Sequence, residues 1–148
     1  MEMKKNGEER KETPAYTGEE IGYRQQMIMQ CIWEAGEAQT VNEIIDRLED
    51  KCGQRFAAST INTLILGLLK KGYLRQGEKR GHAYLYEAAI SEERFRQEEI
   101  RRFRRISFGG SASGMVTALL KDEELNEEDI SEIRRILEKY KGGKEREK

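Results

Sequence analysis

Few side chains in this sequence are placed to make or break a bond. His82 is the one histidine, and at the edge of a charged turn it has no fixed partner for general acid–base work. Ser59 and Thr60 lack the Gly-x-Ser-x-Gly setting that lifts a serine nucleophile onto a strained strand-to-helix turn. Gly109-Gly110 and Gly142-Gly143 follow no strand, so neither reads as a phosphate loop. The acids Asp122, Glu123, Glu124 and Glu127 to Asp129 stand at a helix start, where carboxylates serve the cap and the helix dipole more simply than a metal. Cys31 and Cys52 have no metal-ligand spacing; the first is expected as a small buried apolar residue, the second as a free thiol near a helix end. No enzyme, cofactor or metal is expected.

Charge gives a more specific signal. The chain has 148 residues, 27 basic and 28 acidic, for a net charge of −1. Between Gly53 and Tyr84, however, six basic residues (Arg55, Lys70, Lys71, Arg75, Lys79, Arg80) face a single acid, Glu78. A basic strip within a neutral protein is a candidate phosphate footprint, because counterion release rewards clustered Lys and Arg rather than total charge. A solvated basic face is the plainer alternative. Hydrophobic residues make up 36% of the chain, thin for a self-sufficient core of this size, which leaves room for burial by a second chain. No apolar window of spanning length and no signal-peptide centre is present, so a cytoplasmic protein with no membrane segment is expected.

These residues must be positioned by helices. Residues 1–20 are polar and without apolar periodicity, and read as a disordered tail. Met27, Ile28, Cys31, Ile32 and Ala35 repeat at helical spacing up to Gly36, with Trp33 beside the stripe. Thr40, with Glu43 three residues on, is a capping box opening a second helix that buries Val41, Ile44, Ile45 and Leu48. A third helix, about 57–71, buries Ile61, Leu64, Ile65, Leu68 and Leu69 and leaves Ser59, Asn62, Thr63, Leu66 and Lys70 outside, with Gly72 ending it. Gly67 falls within it, where glycine costs about 1 kcal/mol relative to alanine. Tyr73 to Gln76 and His82 to Glu87 then alternate as a hairpin around the turn Gly77 to Gly81.

Three helices followed by a hairpin is winged-helix order. In such a module the second of the paired helices enters the major groove, where short polar groups reach base edges. Here those would be Ser59, Thr60, Asn62 and Thr63, with Leu66 against a thymine methyl. Arg55, Lys70, Lys71 and Arg75 would meet phosphates, and Lys79 and Arg80 would lie at the wing tip.

Beyond residue 90 the expected organisation is a fourth helix from Ser91 to Ile106, a break at Phe108-Gly109-Gly110-Ser111, a short apolar helix, and a last helix capped by Asn126 and ending near Tyr140. Phe103, Ile106, Met115, Val116, Leu119, Leu120, Ile130, Ile133, Ile136 and Leu137 form apolar faces in a piece too short to support itself as a domain, so a second copy of the chain is the expected partner. The fold class is therefore mainly α with a small β-hairpin. Residues 21–90 form a winged helix-turn-helix, 91–140 a helical dimerisation region, and 141–148 a flexible end.

Trp33, the stretch TINTLILGLLKKGYL, RGHAYLY in the wing, FGGS and LNEEDISEIRRIL together resemble the penicillinase-repressor and methicillin-resistance-repressor family from about Tyr23 to Tyr140. That resemblance implies a homodimeric repressor that binds a palindromic operator in double-stranded DNA through its third helix and wing. In the antibiotic branch it also implies a regulatory protease as partner, because cleavage in the dimerisation region relieves repression. Three departures stand out. Ala118-Leu119 occupies the place where that branch is cut between Asn and Phe. The tail KYKGGKEREK lacks the paired C-x-C motifs of the copper-responsive branch, so metal sensing of that kind is not expected. Gly67 stands where the family usually has Arg, so Gly67→Arg is expected to add a phosphate contact and tighten operator binding. A winged-helix module for protein assembly, with its basic strip facing an acidic partner, is the alternative function.

Overall fold

The computed structural model describes residues 14–147, with side chains through Lys141. Its elements follow the order α1 (Tyr23–Ala35), α2 (Val41–Cys52), α3 (Ala58–Lys70), β1 (Leu74–Arg80), β2 (Ala83–Ala88), α4 (Glu92–Phe108), α5 (Ala112–Leu120) and α6 (Glu127–Glu147). The chain divides into two compact units, Met1–Glu98 and Glu99–Lys148.

In the first unit the helix ends are set by local chemistry. Thr40 Oγ1 accepts from the Glu43 amide at 3.2 Å while Glu43 Oε1 accepts from the Thr40 amide at 2.9 Å, the reciprocal cap that starts α2. Gly36 and Gly53 close α1 and α2 in the left-handed region, at φ 73° and 75°. The apolar stripes then meet: Ile28 and Ile32 of α1, Ile44 and Leu48 of α2, and Ile61, Ile65 and Leu68 of α3 are all buried, with Tyr73 and Leu74 completing the centre. Each such side chain contributes roughly 1.5–3 kcal/mol on burial, so the stripes, more than helix propensity, hold the three helices.

The hairpin differs from its sequence reading. Strand β1 continues through Lys79 and Arg80, and Arg80 pairs with Ala83, so the loop is Gly81-His82. An irregularity between Gln76 and Lys79 absorbs Gly77 and Glu78 inside the ladder. The extended residue Gln39 adds a bridge to Tyr86, exchanging N–H to O bonds of 2.9 and 2.8 Å, and ties the hairpin to the start of α2.

Residues 14–20 also depart from the tail expected over 1–20; residues 1–13 lie outside the described residues. This segment forms a strap over the end of α3. The Thr17 amide donates to Lys71 O at 3.0 Å, the Tyr73 hydroxyl donates to Glu19 O at 2.5 Å, and the Tyr16 ring meets Tyr73 edge-on at 5.0 Å. Tyr16 also donates to the Glu98 carboxylate of α4 and lies beneath Arg94 at 4.7 Å. Burial and that carboxylate hold the Tyr16 phenol above its ordinary pKa, so it stays a donor. Composition gave no hint of the strap, since its anchors are one tyrosine, one threonine hydroxyl and main-chain atoms.

In the second unit no residue from Glu99 to Lys141 is buried. The last helix, α6, is capped as expected: Asn126 and Asp129 exchange bonds of 2.8 and 3.1 Å, which accounts for the acid at that helix start. α6 runs through Gly142 and Gly143 to Glu147, past the expected end near Tyr140.

Two glycines carry testable consequences. Gly72 has φ +78°, and a Cβ there would lie 2.4 Å from Ala15 O and Tyr16 Cα. Gly72→Ala is therefore expected to lower unfolding free energy by about 1–3 kcal/mol in urea titrations. At Gly67 a Cβ would lie 2.5 Å from Gln25 Nε2, an amide that donates to Leu64 O at 3.3 Å while its Oε1 accepts from the Gly22 amide at 3.1 Å. Gly67→Ala gains about 1 kcal/mol of helix propensity and loses a hydrogen bond of similar worth, so it should be close to neutral. In a Gln25→Ala background the same substitution should stabilise by about 1 kcal/mol; equal effects in both backgrounds would show that Gln25 does not need the space.

Candidate nucleic-acid interface

Helical periodicity gives α3 two faces. While Ile61, Ile65 and Leu68 are buried, Ser59, Asn62, Thr63, Leu66 and Lys70 are exposed along the opposite side, Leu66 at 61%. Thr60 is only half-buried and sits at the border of the two faces. Thr63 Oγ1 donates to Ser59 O at 3.1 Å, leaving its lone pairs and methyl outward. Asn62 makes no side-chain hydrogen bond among the described residues, so both halves of its amide remain free to pair. The N-cap residue is Ala57, with no side-chain cap and no acid in the first turn. The positive end of α3 therefore has neither a capping side chain nor an acid within its own first turn, which suits an approaching phosphate. A short-chain, uncharged face with a positive start and Lys70 at its end can enter a groove and touch base edges.

The six cations of the strip are not equivalent. Arg55 Nη1 contacts Asp46 Oδ1 at 3.0 Å and Glu49 Oε1 at 2.7 Å, both on α2. Those carboxylates, Glu49 first, raise the Arg55 pKa. Arg75 Nε meets Glu87 Oε2 at 3.1 Å across the hairpin, and Arg80 Nη1 meets Glu43 Oε2 at 2.7 Å. Lys71 Nζ donates to Glu20 O at 2.6 Å, so it is engaged by the strap as well as near the interface. Lys79 lies over the Tyr84 ring at 5.0 Å. Lys70 alone of the six makes no such contact among the described residues.

Lys79 and Arg80 lie on the strand next to the loop, with Gly81-His82 forming the tip itself, as the extended β1 requires. Position 67 also differs from expectation. It opens toward Gln25 of α1, so an arginine there meets that side chain before it meets solvent, and the predicted gain in phosphate contact is withdrawn. Sequence reasoning missed the carboxylates Glu43, Asp46, Glu49 and Glu87, which a count along residues 53–84 leaves out. It also missed Arg24, whose guanidinium lies over the Phe56 ring at 5.1 Å, just before the start of α3. Trp33 is half-buried and donates to Ile90 O at 3.1 Å, holding the hairpin's exit against α1.

The sequence pattern of the penicillinase repressor family matches residues 21–139. The penicillinase repressor of Bacillus licheniformis is 31% identical over 117 residues, covering 79% of this chain and 88% of that protein. That of Staphylococcus aureus is 30% identical over 118 residues, 80% of this chain and 90% of its own. The methicillin resistance regulatory protein MecI of Mammaliicoccus sciuri is 27% identical over 120 residues, 81% of this chain and 94% of its own. Among the described residues no helix is long and apolar enough to cross a membrane, and no group of three or more His, Cys, Asp or Glu could hold a metal ion.

Glu43 links the cap of α2 to the wing, and its pKa is lowered first by the Thr40 amide and then by Arg80. A depressed folded-state pKa stabilises the fold above the unfolded value, and the contribution is lost as pH falls through the folded one. Glu43→Gln keeps the cap geometry and removes the charge. Its melting temperature should lie below the wild type's at pH 7, and the gap should close as pH drops below about 4. A gap that is constant over that range would contradict the assignment.

Proposed function

The chain belongs to the penicillinase repressor family, and from that premise we propose that it is a sequence-specific repressor that occupies a palindromic DNA operator as a homodimer. The observation that carries this reading is the face of α3: Ser59, Asn62, Thr63 and Leu66 are held outward by a helix whose other side is locked in the core. The uncapped start of α3 and Lys70 at its end bracket that face with positive charge, and the hairpin supplies Lys79 and Arg80 beside it. Repression then needs no chemistry, only occupancy.

The homodimer is supported by what the second unit leaves open. Phe103, Ile106, Val116, Leu119, Leu120, Ile136 and Leu137 are exposed, Ile106 at 71% and Leu137 at 60%, while Met115, Ile130 and Ile133 are half-buried. An apolar surface of this kind is covered most simply by its own copy across a two-fold axis. Two recognition helices would then read half-sites roughly 34 Å apart, or a small multiple of that. A regulatory protease is the further partner that the resemblance to the antibiotic branch implies. Ala118 and Leu119 lie within α5, so cleavage there would first require that turn to open.

Fluorescence anisotropy with labelled duplexes tests the reading. Steep salt dependence and a preference for one palindrome over random duplex are expected, whereas salt-insensitive or absent binding would favour the assembly module. Ile136→Glu with Leu137→Glu should sediment as a monomer at micromolar concentration and bind the palindrome at least about tenfold more weakly. A double variant that remains dimeric would place the interface elsewhere.

A further inference from the structure

All three arginines of the basic strip are held by carboxylates: Arg55 by Asp46 and Glu49, Arg75 by Glu87, and Arg80 by Glu43. Glu43, Asp46 and Glu49 stand at successive third positions of α2, so one strip of that helix serves both the start of α3 and the wing. The pairs are open to solvent, with side-chain exposures of 36–66%. Ion pairs so exposed add little to stability. Their larger effect is on what the surface attracts, since a strip that reads strongly positive along the chain is brought close to neutral in space.

Each guanidinium is engaged through a single nitrogen, Nη1 in Arg55 and Arg80 and Nε in Arg75. An arginine has five N–H donors, so the remaining ones stay available while the first fixes the group's direction. We infer that Glu43, Asp46, Glu49 and Glu87 determine specificity: they suppress binding to DNA of arbitrary sequence by neutralising the arginines, and they aim those arginines at the phosphates of a duplex docked in register. This rests on the DNA-binding reading above. On random DNA, where α3 makes no base contacts, affinity comes almost wholly from counterion release and falls with every neutralised cation. On the preferred site the oriented guanidinium groups meet phosphates at fixed positions, so their contribution survives.

The test uses the full-length protein, a random-sequence duplex and a duplex enriched by the wild type from a random library. Neutralising all four acids (Glu43→Gln, Asp46→Asn, Glu49→Gln, Glu87→Gln) should tighten binding to random duplex by about tenfold or more and steepen its log–log salt slope by about one to two units. Binding to the enriched duplex should tighten less, so discrimination falls. Single variants keep the test independent of the quadruple's folding: Arg55→Ala should weaken random-duplex binding less than Lys70→Ala does. Equal tightening on both duplexes, no change on either, or an Arg55→Ala loss as large as that of Lys70→Ala would overturn the inference. A wild type that binds no duplex would overturn the DNA reading and this inference together; a wild type that binds with unmoved discrimination in the variants would overturn this inference alone.

Discussion

Everything in the N-terminal unit depends on the burial of one side of α3. Ile61 and Leu68 are completely enclosed and Ile65 nearly so, and a helix locked along that stripe has no freedom to roll. The opposite side is thereby fixed as a surface, with Ser59, Asn62, Thr63 and Leu66 in a defined row. Recognition by short side chains requires this, because an Asn or a Ser reaches a base edge only if the helix axis is placed within a fraction of an ångström of its proper depth.

The rest of the unit holds the two ends of that helix. At its end, Lys71 O accepts from both the amide and the hydroxyl of Thr17, at 3.0 and 3.2 Å, and Gly72 turns the chain beneath Ala15 and Tyr16. Tyr73 follows at once, fully buried, its ring between Tyr16 and Phe95. At the start, Phe56 is buried under Arg24. The wing leaves from this anchored end, and the Gln39–Tyr86 bridge and the Arg80–Glu43 pair return it to α2. α3 and the hairpin are thus held to one frame before any partner arrives, which lowers the ordering cost of binding.

How much of this was legible in the sequence follows from the range of each interaction. The apolar stripes, the Thr40–Glu43 box and the Asn126–Asp129 cap act over three or four residues, and the pattern shows them directly. The exposed face of α3 is the complement of its stripe, so it was legible too. The strap was not, because the Tyr16 ring and hydroxyl and the Thr17 amide and hydroxyl reach partners more than fifty positions away from a segment of polar composition. Arg80 and Glu43 are 37 positions apart, and a charge count along a window cancels only neighbours. The hairpin was misread because Gly77 looks like a turn residue, and nothing local distinguishes a turn from an irregularity inside a longer strand.

The most direct measurement of the central claim is sequence selection from a random duplex library, run in parallel with the wild type and with Asn62→Ala. If the outward face of α3 reads DNA, the wild type enriches a two-fold symmetric sequence and the variant loses preference at a symmetry-related position in each half, keeping the remainder. Enrichment of the same full motif by both proteins, or of no motif by the wild type, would contradict the account.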